Sequence, residues 1–561
     1  MITIRQANMI LEHFDPNDIQ DLDGARRAII SLLNLVEELA SENRELRDEI
    51  QRLRDENNRL KGEQGKPKVK PSKKPPLSGT TDHSSERERR TPKPRQRQSK
   101  IDRIQVGREE TVHLDRTRLP EDVEPKGYEP VVVQDIRITT DHVRFWKEKA
   151  YSASQKRSYL ADLPAGYDGE FGPGVHALTR VLYHAVTTSE PKIVAFLQHV
   201  GVSISSGQVS NLLVKNQEPF HAEKDAVYEA GLRSSPWQHI DETGTRVNGV
   251  NQHRHVVCNP LYTAYLTTPK KDRFTVLDVL TNLRPRAYLL QPETYVWLQQ
   301  ARVSESVVAR VREWPQAVPL DEAAFTRLVE QQLGDVNAQH QRLVREAAAV
   351  TAYHAQQDLP VVQVLLADDA PQFKRVTAEL ALCWVHDARY YKKLTPSVAH
   401  HRRLLEQFQE RYWTFYRKLL AYRQSPAPEQ VPRLGAEFDQ LFSTVTGYKG
   451  LDERIAVTRG DKASLLLVLR HPELPLHNNP AEIEIRRRVR KRDVSFGPRT
   501  EEGKRVWDTF ATLLATTQKL GVSFFQYVYD RVSAANQIPN LADLITERAQ
   551  QLNLAASWEP A

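Results

Sequence analysis

The sequence predicts a multidomain protein with three parts: an N-terminal coiled coil, a helix-turn-helix region, and an α/β core that carries helical insertions. Three observations support this prediction. A leucine heptad repeat lies near the N-terminus, two short helical patterns flank a glycine-containing turn, and strand-like apolar runs further along end in acidic residues. At 561 residues the chain is longer than the roughly 250–300 residues at which a single core stops growing.

Composition narrows the class of protein. The two cysteines, Cys258 and Cys383, are too few for a disulfide framework or a four-thiolate zinc site. No apolar stretch approaches the length of a membrane span, and the N-terminus lacks the apolar region of a signal peptide. We therefore expect a soluble protein of the reducing cytoplasm with no membrane partner. The net charge of +7 favours nucleic acid as a partner, but weakly.

After an N-terminal segment at 1–24, residues 25–62 are predicted to form a leucine zipper. Leucine repeats every seven residues at the d positions, and the interleaved a positions carry β-branched residues or asparagine. The d residues are Leu32, Leu39, Leu46, Leu53 and Leu60, and the a residues are Ile29, Val36, Asn43, Ile50 and Asn57. This pattern favours a parallel two-stranded homodimer whose register is fixed by asparagine. The alternative is a helix that packs on its own domain.

Residues 63–107 are predicted to be a basic, disordered linker. Between 61 and 100 the chain has thirteen Lys or Arg against four acidic residues, a net charge of +9. A segment with so few apolar side chains cannot bury enough surface to fold alone. It would suit a tether to the DNA backbone, or simply a solubilising linker.

Two small regions precede the core. Short alternating runs at 108–165 predict a small β module. Residues 166–230 are predicted to be helical and to contain a helix-turn-helix DNA-binding motif, whose second helix begins at Ser206. Ser206, Gln208 and Asn211 would then contact base edges. A helical hairpin without a DNA-binding role is the alternative.

The core is predicted at 231–535, with helical insertions at about 284–357 and 396–472, and a C-terminal tail follows at 536–561. Its elements are expected in the order β-β-β-α-β-α-β-α, with a short helix at 372–380. Asp241 lies on the first strand, Asp368 ends a nearly continuous apolar run typical of a strand buried on both faces, and Glu482 begins a basic helix.

These three carboxylates would suit two divalent cations that act on a phosphodiester. Glu242 and Asp369 are the adjacent alternatives, although neighbours on a strand point to opposite faces. Glu484 is the rival third ligand, but it lies about 200° around the helix from Glu482, so both cannot face one pair of metals. We favour Glu482 because it follows Asn-Asn-Pro-Ala, in which Pro480 begins the helix.

The helix after Glu482 carries a run of cations that would hold a phosphate backbone near the carboxylates. The predicted DNA-binding residues of this helix are Arg486, Arg488, Arg490, Lys491 and Arg492. A solvated basic helix is the alternative. His386 with Cys383 is too small a set for a zinc site, and contact of His386 with a scissile phosphate is left open.

The segment from about 166 to 535 resembles DDE transposases of the insertion-sequence-66 family. The matching motifs occur in the family's order: Asp241-Glu-Thr, Ala367-Asp368, Cys383-Trp-Val-His386-Asp-Ala-Arg389, Asn478-Asn-Pro-Ala-Glu482, and Glu502-Gly-Lys-Arg. Three features depart from the family pattern: His477 stands where Asp is usual, Ile483 stands where Arg is usual, and no cysteine-rich motif lies upstream.

The resemblance implies a ribonuclease H-like core that uses two Mg²⁺ ions, for which Mn²⁺ can substitute, to cleave DNA and transfer strands. It implies as partners the double-stranded DNA of transposon ends and target, and a bacterial protein associated with the nucleoid. Higher-order assembly and accessory proteins are left open. Two alternatives also stay open: an inactive or domesticated DNA-binding relative, and a ribonuclease H-like nuclease or resolvase without strand transfer.

Overall fold

The computed structural model describes residues 21–60, 104–115, 117, 119–120, 123–124, 126–167 and 169–558. Most of the predicted N-terminal segment and most of the basic linker lie outside these residues. The described part is helix-rich and multidomain, with an N-terminal helix and a mixed sheet. No helix in these ranges is long and apolar enough to cross a membrane.

The helices are α1 (Leu22–Leu60), α2 (Pro173–His184), α3 (Glu190–His199), α4 (Ser206–Val214), α5 (Glu218–Arg233), α6 (Arg273–Leu280), α7 (Pro292–Gln300), α8 (Glu305–Arg312), α9 (Glu322–Leu333), α10 (Ala338–Ala355), α11 (Trp384–Lys393), α12 (Ala399–Gln424), α13 (Gln430–Phe442), α14 (Lys449–Gly460), α15 (Lys462–Leu465), α16 (Asn479–Ser495), α17 (Glu501–Lys519), α18 (Phe524–Val532) and α19 (Leu541–Leu552). The strands are β1 (Lys149–Ser152), β2 (Arg157–Leu160), β3 (Trp237–Val247), β4 (Val250–Cys258), β5 (Thr263–Thr268), β6 (Ala287–Tyr288), β7 (Leu320–Asp321), β8 (Val364–Ala367) and β9 (Glu379–Leu382).

The N-terminal helix α1 matches the predicted zipper closely in its bounds. Its seam residues face solvent: for example, Leu46 and Leu53 are 55% and 53% exposed. A different face of the helix, which includes buried Leu35 and Glu37, lies against α12 and the turn before α14. One face of α1 therefore packs on its own domain, as the alternative interpretation expected. The a/d seam is exposed.

The β module is much smaller than the sequence predicted. Only the antiparallel pair β1 and β2 forms there, and the described residues between 104 and 148 contain no strand. Alternation of apolar and polar residues predicted strands in this region, but these apolar side chains are exposed; Val131 and Ile136, for example, are 78% and 84% exposed. Without a core to cover one face, the alternation does not produce a sheet.

The core is a five-stranded mixed sheet in the order β5-β4-β3-β8-β9. The first three strands form antiparallel hairpins, and β3, β8 and β9 run parallel. The strand β8 is buried throughout, as its continuous apolar run predicted. The prediction of a short helix at 372–380 is wrong. This stretch forms turns and then the start of β9, which pairs with β8 from Glu379.

The two insertions are helical, as predicted, but they belong to different apolar clusters. The first contributes α7 to α10 to the large cluster around one face of the sheet. The second, with α12 to α15, forms its own cluster centred on the aromatic residues of α12 together with α11. The helices α3 and α4 pack with α2 in a third cluster that includes Trp507 of α17.

Candidate active site

Asp241 and Asp368 lie at the same edge of the sheet. The parallel pairing of β3 with β8 places His239 opposite Leu366. Continuing this register by two residues brings Asp241 level with Asp368, directly after the end of β8. Asp241, just beyond the part of β3 that pairs with β8, and Asp368, just beyond the carboxyl end of β8, are therefore brought together although they are 127 positions apart in the sequence.

The electrostatics show that a third carboxylate is close. Burial is the main reason why the pKa of Asp241 is raised to about 7, and the negative charges of Asp368, Glu242 and Glu482 raise it further. The Glu242 amide, which donates to Asp241 Oδ1 at 2.9 Å, opposes this shift. The structure thus groups the three acids that the sequence singled out, and like charge accumulates where they meet.

Glu482 reaches this site because the start of α16 is fixed to β3. The Asn478 side chain donates to Ile240 O at 2.7 Å and lies 2.9 Å from His239 Nδ1, and its backbone amide donates to Cys383 Sγ. Pro480 stands in the first helical turn, as predicted. Asn478 is the first residue of the Asn-Asn-Pro-Ala motif, and its contacts explain that motif.

Two of the three rival carboxylates, Glu484 and Asp369, face elsewhere, and the third is engaged by other side chains. Glu484 is buried against β5, where it accepts a hydrogen bond of 2.7 Å from Tyr265 Oη. Asp369 accepts one from Tyr390 Oη at 2.7 Å. Glu242 lies near Asp368, whose charge raises its pKa alongside burial, but its side chain contacts Lys271 and Gln372. The half-turn separation on the helix thus places Glu482, and not Glu484, near the paired aspartates.

Glu482 is held by cations. Arg389 Nη2 of α11 donates to both carboxylate oxygens at 2.9 Å. Arg486 Nη2 lies 3.2 Å away and His386 Nε2 lies 3.4 Å away. Burial and the charge of Arg389 lower the pKa of His386. The sequence motif included Arg389 without assigning it a role, because a contact across 93 positions leaves no local pattern.

The predicted DNA-binding cations of α16 divide into two groups. Arg490 is exposed and Arg486 is mostly exposed, and Arg492 is half-buried and donates to Gly244 O. Arg488 and Lys491 are buried, which corrects their predicted role. Arg488 stacks on Tyr265, and Lys491 donates to Tyr183 O and lies 3.5 Å above the Tyr183 ring. These two cations join α16 to its neighbours and do not face solvent.

The two helices of the predicted helix-turn-helix are present as α3 and α4, and α4 begins with a capping box at Ser205. Ser206 and Asn211 are exposed, as base-contacting residues must be. Gln208 is engaged: its Oε1 accepts the Ser205 amide at 2.8 Å and its Nε2 donates to Glu170 at 2.6 Å. Gln208 therefore stabilises the helix start, and its predicted contact with a base would require these bonds to break.

Within the described ranges, no three His, Cys, Asp or Glu side chains are already arranged to ligate one metal ion. The carboxylates of Asp241, Asp368 and Glu482 nevertheless form a set of hard oxygen donors. Burial, together with the charges of these neighbours, raises the pKa of Asp241, and a bound divalent cation would favour its ionised form. The donor chemistry therefore fits Mg²⁺ or Mn²⁺.

Comparison with known proteins identifies the class. The family described as Transposase IS66 family matches residues 339–506, a segment that includes Asp368 and Glu482. The chain is also similar to the uncharacterized protein y4jO of Sinorhizobium fredii (strain NBRC 101917 / NGR234). The two are 31% identical over 321 residues, which cover 57% of this chain and 99% of the relative. No solved structure matches the chain.

These matches agree with the site and with the motif order. The chain belongs to the IS66 family of transposases.

Proposed function

We propose that this transposase is a metal-dependent DNA-cutting and DNA-joining enzyme that acts at the ends of an insertion sequence. The observation that carries the proposal is the meeting of Asp241, Asp368 and Glu482. They come from β3, the end of β8 and the first turn of α16, and the charges of the latter two act on the first. Three acids from distant elements at one sheet edge suit two-metal phosphodiester chemistry.

The topology supports a ribonuclease H-like core. Three antiparallel strands are followed by two strands parallel to the first, in the order β5-β4-β3-β8-β9. The acids occupy the first strand, the end of the fourth strand and a later helix, as the resemblance implied. We infer from this arrangement, and not from a solved relative, that the two insertions interrupt a single nucleotidyl-transferase fold.

Asp241, Asp368 and Glu482 would hold the metal. Two Mg²⁺ ions, or Mn²⁺ in their place, would activate water or a 3′-hydroxyl and stabilise the leaving oxygen. Because Arg389 donates to both oxygens of Glu482, Glu482 would have to lose part of this contact before it could bind a metal ion. Arg389, Arg486 and Arg490 would then be available on the same side to bind the DNA backbone.

Two further regions would deliver DNA to this site. The exposed face of α4 would contact the major groove through Ser206 and Asn211. The a/d seam of α1 would pair with a second copy, since Leu39, Leu46 and Leu53 are 41%, 55% and 53% exposed and a heptad seam is stable only when covered. The dimer would bring two DNA ends together.

The test is a cleavage assay with Mg²⁺ or Mn²⁺ on DNA that bears a terminus of the element. Asp241→Asn, Asp368→Asn and Glu482→Gln should each retain DNA binding and lose at least about 10³-fold in cleavage and strand transfer. Glu484→Gln is the matched control, because it keeps a hydrogen-bond acceptor for Tyr265 and lies on the other face of the same helix.

Each alternative has a distinct outcome. Wild-type protein that binds the terminus but never cleaves it would indicate a DNA-binding relative without catalysis. Cleavage without joining would indicate a nuclease or resolvase. Normal turnover by Glu482→Gln, or loss of activity confined to Glu484→Gln, would overturn the assignment of the third carboxylate.

A further inference from the structure

The helix α1 has a second face, away from its leucine seam, that is attached to the core. Asn34 Nδ2 donates to Gly447 O at 2.9 Å, and its Oδ1 accepts the Lys449 amide at 3.1 Å. Glu38 pairs with Lys449 at 2.8 Å, and Arg44 donates to Thr395 O at 3.0 Å. These residues occupy heptad positions b, c and f, on the side of the helix opposite the a/d seam.

Glu37 is the centre of this rear face. It is 7% exposed, and its two oxygens accept the backbone amides of Ser397 at 2.6 Å and Val398 at 2.9 Å. It also lies 3.4 Å from His401 Nδ1, whose ring stacks on Tyr448. Burial acts to raise the pKa of Glu37, but the bonds from these two amides and the contact with His401 together outweigh it and leave the pKa lowered.

Glu37 supplies a hydrogen-bond acceptor that the start of α12 lacks. The N-cap of α12 is Val398, which has no capping side chain, so the amides at the start of this 26-residue helix need an outside acceptor. A carboxylate at a helix N-terminus also interacts favourably with the helix dipole. Glu37 thus accepts the N-cap amide of α12 and the amide of the residue before it, from a helix far earlier in the chain.

From α12 the contacts lead to the candidate active site. Tyr412 Oη of α12 lies 2.9 Å from both Trp384 O and Asp387 Oδ2 of α11, and it donates its one hydrogen to one of them. On the same helix α11, Arg389 holds both oxygens of Glu482. Only two helices therefore separate the zipper helix from the third acidic residue.

We propose that the rear face of α1, formed by Asn34, Glu37, Glu38 and Arg44, docks on the second insertion and thereby supports α11 and the geometry around Glu482. The proposal rests on the proposed function for its partner, a second copy on the a/d seam. Because seam and rear face are separate, α1 would hold the partner and the core at the same time.

The decisive experiment is hydrogen exchange on the full chain in the Glu37→Ala variant. Removal of the carboxylate leaves two buried amides without an acceptor. We expect the amides of Ser397 and Val398 to exchange at least about tenfold faster, and protection across α11 to fall as well. The sedimentation mass should remain that of wild type. Glu45→Ala, an exposed acid on the same helix, is the matched control and should change none of these.

The reciprocal variant tests the separation of the two faces. Leu46→Lys with Leu53→Lys places charge in the seam and should abolish pairing, while the amides of Ser397 and Val398 keep their protection. Unchanged exchange at these amides in Glu37→Ala, or unchanged exchange across α11, would overturn the proposal. So would loss of the dimer in Glu37→Ala, since the faces would then not be independent.

The cleavage assay separates this proposal from the proposed function. If wild-type protein cleaves DNA, Glu37→Ala should remain dimeric and cleave paired ends about tenfold more slowly than Glu45→Ala, and equal rates would overturn the support of the Glu482 site by the rear face. If wild-type protein does not cleave, the proposed function fails, and the exchange measurements alone decide whether the rear face docks and supports α11.

Discussion

At the scale of single residues, three carboxylates of this transposase, two buried and one partly buried, differ in how their charge is compensated. Glu482 is paired with Arg389, and Glu37 accepts two backbone amides. Asp241 has the Glu242 amide and otherwise carboxylate neighbours. Hydrogen bonds and ion pairs therefore offset the cost of burial at Glu482 and Glu37, but not at Asp241. The pKa of Asp241 is raised to about 7, as expected for a carboxylate in a functional site that binds a cation.

This difference predicts how metal-free stability depends on pH. Because the pKa of Asp241 is higher in the folded state than its ordinary value of 3.8, the folded state binds more protons, and stability is lost as the pH rises through about 7. Asp241→Asn removes this loss. In the presence of a chelator at pH 8, we expect the variant to be more stable than wild type by roughly 2–4 kcal/mol, with little difference near pH 4.

Denaturant unfolding of both proteins at pH 4, 6 and 8 checks this prediction. Asp493→Asn is a suitable control, because Asp493 is an exposed acid of α16 and its neutralisation should have no comparable effect. An Asp241→Asn variant that is no more stable than wild type at pH 8 would show that the Asp241 charge is already compensated in the metal-free protein.

Sequence reasoning identified the residues whose neighbours are local and missed those whose partners are distant. Asp368 was recognisable because it ends a buried run, and Glu482 because Pro480 begins its helix. The role of Asn478 depends on its contacts with β3, and the role of Arg389 depends on its contact with Glu482 of α16. Each of these partners is remote in the chain. The same limit explains Arg488 and Lys491: a run of cations indicates charge, but it does not reveal which helix face packs on Tyr183 and Tyr265.

At the scale of elements, α4 carries two kinds of polar residue: Ser206 and Asn211 are exposed, whereas Gln208 is already hydrogen-bonded within the protein. Their substitutions should therefore have different effects. Ser206→Ala with Asn211→Ala should weaken binding to the cognate terminus by about 1–3 kcal/mol for each hydrogen bond to a base that the variant cannot make, and binding to random DNA should change little. Gln208→Ala should act differently. It removes half of a capping box, so it should lower the stability of the helix by about 1 kcal/mol.

Competition binding with cognate and random duplexes, together with thermal unfolding, separates these effects. If the Ser206 and Asn211 double variant kept full discrimination, the recognition surface would lie elsewhere. If Gln208→Ala lost discrimination with unchanged stability, Gln208 would be a base-contacting residue after all.

The seam of α1 gives a second prediction at this scale. Asn43 and Asn57 stand at a positions, where a polar residue specifies register and the two-stranded state at a cost in stability. Asn43→Ile with Asn57→Ile should therefore strengthen association and produce a mixture of dimers and larger oligomers. Sedimentation equilibrium measures this outcome, and an unchanged mass distribution would argue against a parallel zipper.

The sequence predicted elements well where a periodic pattern was long or buried. The 39 residues of α1, the buried strand β8 and the helical insertions all formed. Prediction failed where short patterns needed tertiary support: only β1 and β2 formed in the predicted β module, and 372–380 formed turns and the start of β9.

At the scale of the whole molecule, charge is concentrated in one segment. Residues 61–100 carry a net charge of +9, against +7 for the chain, so the remainder is slightly acidic. The acids at the active site would repel DNA unless another region attracts it. The basic segment, which lies between α1 and the helices α3 and α4 in the chain, would supply this attraction without reading sequence.

This division of roles predicts a measurable dependence on salt. Replacing six of the lysines and arginines in this segment with glutamine should weaken binding to cognate and random DNA alike. It should also reduce the slope of log K against log salt by about 0.9 for each phosphate that is no longer neutralised. The chosen positions are Lys66, Lys68, Lys70, Lys73, Lys74 and Arg87. As a control, asparagine-to-glutamine substitutions elsewhere on the surface should leave the slope of log K against log salt unchanged, because they alter no charge. A variant that lost discrimination between the two DNAs at an unchanged slope would show that the segment contacts bases, and an unaltered affinity for both would reduce it to a linker.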